Sequence, residues 1–234
     1  MPKVMIGVQA RSTSSRLPGK SMALVDHITM TEHVLRACDE SADHLNKRSN
    51  ITDINCMVVL LVPHGDGLLH EYRRRMTVQG PEDDVLQRYV VAMSEYQPDY
   101  VVRVTGDCPS LAPALISKHI ATAINHKLDY VSNVYEGART YVDGYDVEVI
   151  SKELMWWTAE QATAEHDREH VTTYCRRMRP SWAKYGAIVN HIDLSDIKLS
   201  VDTKQDLENA RENKRQIAKK IKRLRDDRVD IFRF

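Results

Sequence analysis

The chain has 234 residues, 42% of them hydrophobic, so it is long enough to bury one sizeable core. Its 33 basic and 33 acidic residues cancel, which excludes a global electrostatic attraction to nucleic acid or to a membrane surface. No stretch approaches the roughly 18 apolar residues of a membrane span. The 4 cysteines form no CxxC pair. We therefore expect a cytoplasmic protein with reduced, mostly buried thiols.

Short apolar runs alternate with helical patterns along the first half of the chain. Strand-like runs occupy residues 3–9, 56–62 and 99–105, and they are apolar enough to be buried on both faces of a parallel sheet. Helical patterns lie between or after them, at residues 31–42, 68–75, 83–96 and 113–126. This alternation predicts an α/β fold with a mostly parallel central sheet flanked by helices.

The second half predicts further strands and a single domain over residues 1–234. Strand patterns lie at residues 129–133, 146–150, 182–189 and 197–202. Residues 134–150 look like a small β excursion from the sheet, suited to dimerisation or substrate binding, and 45–55 is a polar connector. A helix is predicted over 203–225. Its basic run at 214–225 could bind RNA or a partner helix, although a solvated face is favoured.

The stretch VQARSTSSRLPGKS, residues 8–21, follows the first predicted strand. It carries Arg11, Arg16 and Lys20 together with several hydroxyl side chains. Open α/β sheets bind ligands at this end of a strand, and such cations suit a polyphosphate. A Walker A reading fails because Ser14 stands where the first glycine should be and Pro18 interrupts the cradle. A solvated basic turn is the other interpretation.

Two aspartates are expected at strand ends. In RVTGDCPSL, Gly106 permits a tight turn and Asp107 projects a carboxylate. In LSVDTKQDL, Asp202 closes a predicted strand before the C-terminal helix. Carboxylates in such positions bind Mg²⁺ that is bridged to substrate phosphates. Asp202 or Thr203 could instead serve only as a helix cap.

Six segments in this order resemble one family. They are QARSTSSRLPGK, GPEDDVLQRY, RVTGDCPSL, DGYDVEVIS, DREHVT and LSVDTKQDLE. Together they are similar to the cytidylyltransferase family of CMP-sugar synthetases, whose members activate KDO and sialic acids, and most of all to the branch typified by spore coat polysaccharide biosynthesis protein F. The resemblance implies a Rossmann-like nucleotidyltransferase fold, CTP and Mg²⁺ as cosubstrates, pyrophosphate as leaving group, and a homodimer.

The resemblance also implies roles for particular residues. Arg11 and Lys20 would contact the CTP phosphates, Gln9 and Ala10 would lie near the cytosine, and one or two Mg²⁺ ions would sit at Asp107 and Asp202. Ser15, Arg16 and Gly106 fall within the same nucleotide-binding loops. The chain departs from the family near His27, where relatives have a Gly-Lys-Pro turn. The family then predicts transfer of CMP to a small anionic acceptor, such as a sugar acid or a phosphorylated or phosphonate metabolite, with neither nucleic acid nor membrane as partner.

The acceptor is expected between a strand and a helix start. Asp146 and Glu148 alternate onto one strand face, opposite Arg168, Glu169 and His170. An Arg168–Glu148 salt bridge that only ties the helix to the sheet is an alternative. The segment HDREH also fits the H-x-x-E-H pattern of zinc hydrolases, or is a plain helix start capped by Asp167.

Several readings of the second half stay open. The helix after Asp167 is expected to bury a stripe of apolar side chains, namely Val171, Tyr174, Cys175 and Met178. For the whole protein, a glycosyltransferase that consumes a nucleotide-sugar is the main rival of the cytidylyltransferase. A binding module without turnover is a more distant alternative.

Overall fold

A computed structural model describes residues 1–47, 54–135, 137, 139–212 and 230–233. Three sequence predictions lie partly outside these ranges. They are the polar connector at 45–55, the excursion at 134–150 and the C-terminal helix, whose basic run at 214–225 is not described. Among the described residues, no helix is long and apolar enough to cross a bilayer.

The centre of the fold is an eight-stranded mixed sheet in the order β10-β9-β7-β8-β6-β1-β4-β5. Its strands are β1 Lys3–Gln9, β4 Asn55–Pro63, β5 Thr77–Gly80, β6 Tyr100–Thr105, β7 Tyr130–Ser132, β8 Glu148–Ser151, β9 Tyr185–Val189 and β10 Asp230–Arg233. The neighbours β6, β1, β4 and β5 are parallel, whereas β8 runs antiparallel to both β6 and β7. The predicted α/β fold with a mostly parallel centre is confirmed.

The parallel strands align their carboxyl ends. In the register of β1, Gln9 lies beside Leu61 of β4 and Thr105 of β6. Successive side chains of β1 point to opposite faces, so Val4 and Ile6 join one core cluster while Met5 joins the other. The loops that follow β1 and β6 are therefore brought together at one edge of the sheet.

Helices cover both faces of the sheet. They are α1 Met30–Lys47, α2 Leu68–Glu71, α3 Val85–Tyr96, α4 Pro113–His126, α5 Lys152–Gln161, α6 Glu165–Glu169 and α7 Thr173–Met178, and residues 204–212 are also helical. Apolar side chains of α1 and α4 belong to the first core cluster, and those of α3 and α5 to the second. Asp84 caps α3 by accepting a 2.9 Å hydrogen bond from the Gln87 amide. All four cysteines are free and buried, as expected.

Three predicted elements differ from the structure. Residues 197–202 form no strand. They make only one bridge, between Asp143 and Lys198, because this segment pairs with a loop instead of with a strand of the sheet. The helix predicted at 68–75 ends at Glu71, and the unpredicted strand β5 follows. The expected β excursion at 134–150 is irregular up to β8 where it is described.

A separate antiparallel ribbon is formed near the N-terminus instead. Its strands β2 (Leu24–Val25) and β3 (Ile28–Thr29) are joined by Asp26 and His27, with φ values of 48° and 66°. Two positive φ angles are the requirement of a tight hairpin turn, which asparagine, aspartate and glycine satisfy most easily. This ribbon is the structural form of the unusual sequence near His27.

The helix predicted after Asp167 is broken in two. Val171 adopts a positive φ of 60° between α6 and α7, so the expected apolar stripe does not continue along one axis. Val171 and Cys175 are fully buried as predicted, but Met178 is 53% exposed. Asp167 lies inside α6 and does not cap it, because Ala164 is the residue before the helix.

Candidate active site

The loop after β1 is held by hydrogen bonds to its own backbone. The Ser12 amide donates to the nearly buried Asp66 carboxylate at 2.8 Å, and Thr31 Oγ1 donates to the Ser21 carbonyl at 3.0 Å. Gly19 has a φ of 69°, the left-handed region that glycine adopts without strain. These contacts fix both ends of the loop and turn its cationic side chains towards the sheet edge.

The loop after β6 lies directly against the loop after β1. The Gly106 amide donates to the Gln9 carbonyl at 2.9 Å. A Cβ atom on Gly106 would lie 2.9 Å from Ala10 Cβ and 3.2 Å from Gln9 O. Only glycine allows this approach, which places Asp107 beside the cationic loop.

Lys20 connects the two predicted metal-binding aspartates. Its Nζ lies 2.9 Å from Asp107 Oδ2, 3.4 Å from Asp202 Oδ1 and 3.2 Å from the Val201 carbonyl. Burial of the Asp107 carboxyl opposes ionisation, but the Lys20 ammonium and a hydrogen bond with Thr105 lower the pKa of Asp107 below its ordinary value. The two aspartates and Lys20 thus form one charged cluster.

Asp202 is not the helix cap. Thr203 Oγ1 accepts from the Asp206 amide at 3.2 Å, and the Asp206 carboxylate accepts from the Thr203 amide at 2.9 Å, which is a capping box. The Asp202 carboxylate is therefore available to cations, and it receives Arg16 at 2.9 Å and Lys198 at 3.3 Å. Of the two candidate caps in the sequence, Thr203 takes that role.

These groups line an open pocket of about 280 Å³, which we call the nucleotide pocket. Eleven of the predicted site residues line it. They are Gln9, Ala10, Arg11, Ser15, Arg16, Lys20, Gly106, Asp107, Glu169, His170 and Asp202. The volume is near the lower end of the ~300–1,000 Å³ range of small-molecule sites. The structure thus brings the nucleotide-binding candidates together with two of the acceptor candidates.

Two arginines of the pocket were missed by the sequence reasoning. Arg88 is 2% exposed and donates to the Pro81 and Glu82 carbonyls, and Arg103 reaches the pocket from β6. Arg103 Nε donates to Gln9 Oε1 at 3.1 Å. The signal for Arg103 was a charged residue inside an otherwise apolar strand, which in a buried strand requires a partner.

Glu148 is that partner, and it is not open to an acceptor. It is 1% exposed and accepts from Arg103 Nη1 at 2.5 Å, from Thr172 Oγ1 at 2.6 Å and from the Tyr130 hydroxyl. Burial would raise the pKa of Glu148, but Arg103 and Arg176 hold it below its ordinary value. The prediction that Glu148 grips acceptor hydroxyls is therefore corrected, because its oxygens are already occupied.

Arg168 and Asp146 are not among the residues that line the nucleotide pocket. Arg168 Nε donates to Asp84 at 2.6 Å, and its Nη1 donates to the Ala162 carbonyl at 2.9 Å. Asp146 accepts from Arg139 at 2.8 Å. The alternative salt bridge between Arg168 and Glu148 is not formed, since Asp84 binds the Arg168 guanidinium instead.

The HDREH segment forms no metal cluster. The rings of His166 and His170 are in contact with centroids 4.5 Å apart and planes tilted by 56°, and burial together with His166 lowers the pKa of His170. Within the described ranges, no group of three or more histidine, cysteine, aspartate or glutamate side chains is placed to hold a metal ion. The zinc-hydrolase interpretation therefore has no support from the geometry.

Comparison with known proteins gives relatives over most of the chain. An uncharacterized protein of Methanocaldococcus jannaschii is 28% identical over 209 residues, which cover 87% of this chain and 80% of the relative. Spore coat polysaccharide biosynthesis protein SpsF of Bacillus subtilis is 25% identical over 217 residues, which cover 89% of this chain and 85% of the relative. No family profile matches the chain.

Solved structures share the fold. A cytidylyltransferase from Leptospira borgpetersenii superposes with a TM-score of 0.77 at 22% identity, covering 98% of this chain and 99% of the other. CMP:2-keto-3-deoxy-manno-octonic acid synthetase complexed with CTP superposes with a TM-score of 0.62 at 13% identity, covering 93% and 99%. The resemblance expected from the six motifs is confirmed, and so is the Rossmann-like nucleotidyltransferase fold.

Proposed function

We propose that this chain is a cytidylyltransferase that transfers CMP from CTP to a small anionic acceptor and releases pyrophosphate. The observation that carries the proposal is the cluster at the carboxyl ends of β1 and β6. There three cations from one loop, Arg11, Arg16 and Lys20, meet the carboxylates of Asp107 and Asp202 in one pocket. Cations beside carboxylates at the edge of a parallel sheet suit a triphosphate accompanied by a divalent ion.

Arg11 and Lys20 would act on different parts of the triphosphate because of their positions in the pocket. Arg11, with its side chain 42% exposed, is accessible to the outer phosphates. Lys20 would leave the aspartates and follow the negative charge that develops on the leaving pyrophosphate. Phosphoryl chemistry of this kind depends on positioning and electrostatics, so no protein nucleophile is required.

The donor set fits a divalent cation. Asp107 Oδ2, Asp202 Oδ1 and the Val201 carbonyl already surround the Lys20 ammonium at 2.9 to 3.4 Å. Mg²⁺ takes oxygen ligands and is commonly held by one or two carboxylates together with substrate phosphates. When bound, the metal would neutralise phosphate charge and polarise the α-phosphate for in-line attack. Asp107 and Asp202 are the residues that would hold one or two such ions.

The side-chain amide of Gln9 would explain a preference for cytosine over uracil. Its Oε1 accepts from Arg103 Nε at 3.1 Å and from the Tyr89 hydroxyl at 3.4 Å. The amide Nε2 is therefore the group that would donate to a base. Cytosine N3 is an acceptor, whereas uracil N3 carries a proton, so a donor at this position would favour CTP over UTP.

The test is pyrophosphate release from CTP in the presence of a divalent metal and a panel of sugar acids and sugar phosphates. The proposal expects release that depends on one acceptor, with CTP used faster than UTP. Release of a nucleoside diphosphate from a nucleotide-sugar would instead identify a glycosyltransferase. A cytoplasmic homodimer remains a prediction from the chain's composition and from the resemblance.

A further inference from the structure

A second pocket, rich in arginine, lies beside the nucleotide pocket. Its lining residues, which define the arginine pocket, are Tyr135, His166, Thr173, Arg176, Arg177 and Arg179. The cavity measures about 630 Å³, and no carboxylate is among the lining side chains that the structure describes. Such a concentration of guanidinium groups is typical of sites for carboxylate or phosphate groups.

The charges of this pocket are only partly balanced. Arg177 is neutralised by Asp167, which it binds through two contacts of 3.0 and 2.7 Å. Arg176 Nε is buried without a hydrogen-bond partner and lies 4.0 Å from Glu148. That glutamate is also the counterion of Arg103. One carboxylate thus serves two guanidinium groups, which leaves positive charge for a ligand.

Arg179 and Tyr135 form one wall of the pocket. The Arg179 guanidinium lies 4.7 Å from the centroid of the Tyr135 ring. The stacked ring restricts the arginine, so that less side-chain entropy is lost when it binds an anion.

The two pockets share a boundary. Glu148 binds Arg103 of the nucleotide pocket through one oxygen and faces Arg176 of the arginine pocket with the other. Likewise, His170 lines the nucleotide pocket and contacts the ring of His166 in the arginine pocket. The two pockets are therefore adjacent.

We propose that the arginine pocket binds the acid group of the acceptor. This inference rests on the proposed function, and it identifies the binding residues that Arg168 and Glu148 do not provide. The ligand chemistry is a carboxylate or phosphate on a sugar-sized molecule. A neutral sugar would leave the buried Arg176 Nε without an anionic partner and would bind weakly.

The experiment measures binding of defined probes by saturation-transfer NMR, with and without CTP. The probes are 2-keto-3-deoxy-manno-octonic acid as the carboxylate, mannose 6-phosphate as the phosphate, and mannose as the neutral sugar. At least one acid is expected to bind more than about tenfold tighter than mannose. The acid that binds shows whether the charged group of the ligand is a carboxylate or a phosphate.

Variants locate the binding. Arg179→Gln alters an exposed cation of the pocket, and Arg176→Lys keeps the charge near Glu148 but removes the planar fork. Both are expected to weaken the acid probe by about tenfold and to leave CTP affinity, measured by calorimetry, unchanged. The matched control is Arg74→Gln, an exposed arginine that lines neither pocket.

The possible results separate the two proposals. Acid binding that is lost in both pocket variants supports the inference even if no pyrophosphate is formed, because binding is measured without turnover. The inference is overturned if neither acid binds at millimolar concentration, if mannose binds equally well, or if both variants bind the acid like the Arg74→Gln control. Loss of CTP binding in the parent protein would contradict the proposed function instead.

Discussion

The nucleotide pocket and the arginine pocket differ in how their charges are matched. In the nucleotide pocket, Lys20 lies between Asp107 and Asp202. In the arginine pocket, Asp167 pairs with Arg177, but no carboxylate is among the lining side chains within the described ranges. The first must exchange internal ion pairs for a metal and a polyphosphate. The second can accept an anion directly, so the two pockets should respond differently to loss of a single charge.

Loss of the Asp107 charge is expected to have the largest effect. Asp107→Asn should lower turnover by at least about 100-fold, because a metal contribution of several kcal/mol is lost. Binding of the acid probe should be unchanged, whereas the melting temperature should fall slightly because Lys20 loses one of its two aspartate partners. The exposed Asp43→Asn is the control. Near-normal turnover of Asp107→Asn at limiting Mg²⁺ would show that Asp107 does not bind the metal ion.

Loss of the Glu148 carboxylate, which both pockets share, should affect ligand binding in both of them. Glu148→Gln leaves Arg103 and Arg176 without their buried counterion, at a cost of about 3 kcal/mol in the free energy of unfolding. Denaturant unfolding measures this loss, and the exposed Glu153→Gln is the control. Binding of CTP and of the acid probe should both change, because Arg103 and Arg176 lose the carboxylate that neutralises and orients them. An effect on only one ligand would show that the pockets are independent.

Lys20 should compete with a metal ion for the two aspartates. Lys20→Ala is expected to raise the CTP requirement by roughly 10- to 100-fold through loss of a charge-assisted contact. The same variant without CTP should bind Mn²⁺ more tightly, because the ammonium no longer occupies the oxygen set of Asp107 and Asp202. Titration calorimetry measures both quantities, with Lys184→Ala as the exposed control. Unchanged Mn²⁺ affinity would refute this competition.

Asp146 should affect stability and neither pocket. Burial raises its pKa from 3.8 to about 6, although Arg139 opposes the shift. Because the folded-state pKa lies above the unfolded value, the folded protein binds the proton more tightly. Stability from this group is therefore gained as the pH falls through about 6 and lost as the pH rises. Relative to Asp146→Asn, the parent protein should gain about 1 kcal/mol between pH 7 and pH 5.

Chemical unfolding at the two pH values measures this difference, with the exposed Asp196→Asn as control. Affinity for the acid probe at pH 7 should be the same in the parent protein and in Asp146→Asn. A weaker acid affinity in Asp146→Asn would show that Asp146 contacts the acceptor, as the sequence predicted.

The sequence could predict which residues come together in the nucleotide pocket, because local rules decide their placement. Apolar strands must lie side by side in a parallel sheet, so the loops after β1 and β6 meet and carry Lys20 to Asp107. Gly106 marks the close approach in the sequence itself. These features depend on residue type and order, which the chain displays directly.

The acceptor side was less predictable because distant partners decide it. Arg168 forms an ion pair with Asp84, which lies 84 positions earlier in the sequence. Glu148 forms one with Arg103. Val171 breaks the helix with a positive φ that its β-branched side chain does not favour. Such choices follow from tertiary packing, and the pattern HDREH gave no sign that Arg176 and Arg179 rather than Arg168 would line the cavity.

The central claim is that CMP is joined to an acid held beside the nucleotide. The most direct measurement is ³¹P NMR of the protein with CTP, Mg²⁺ and the acid that binds the arginine pocket. The account predicts equal amounts of pyrophosphate and a new phosphodiester resonance, both absent when the acid is omitted. Free CMP with pyrophosphate, or CDP with phosphate, would show hydrolysis instead of transfer and would contradict it.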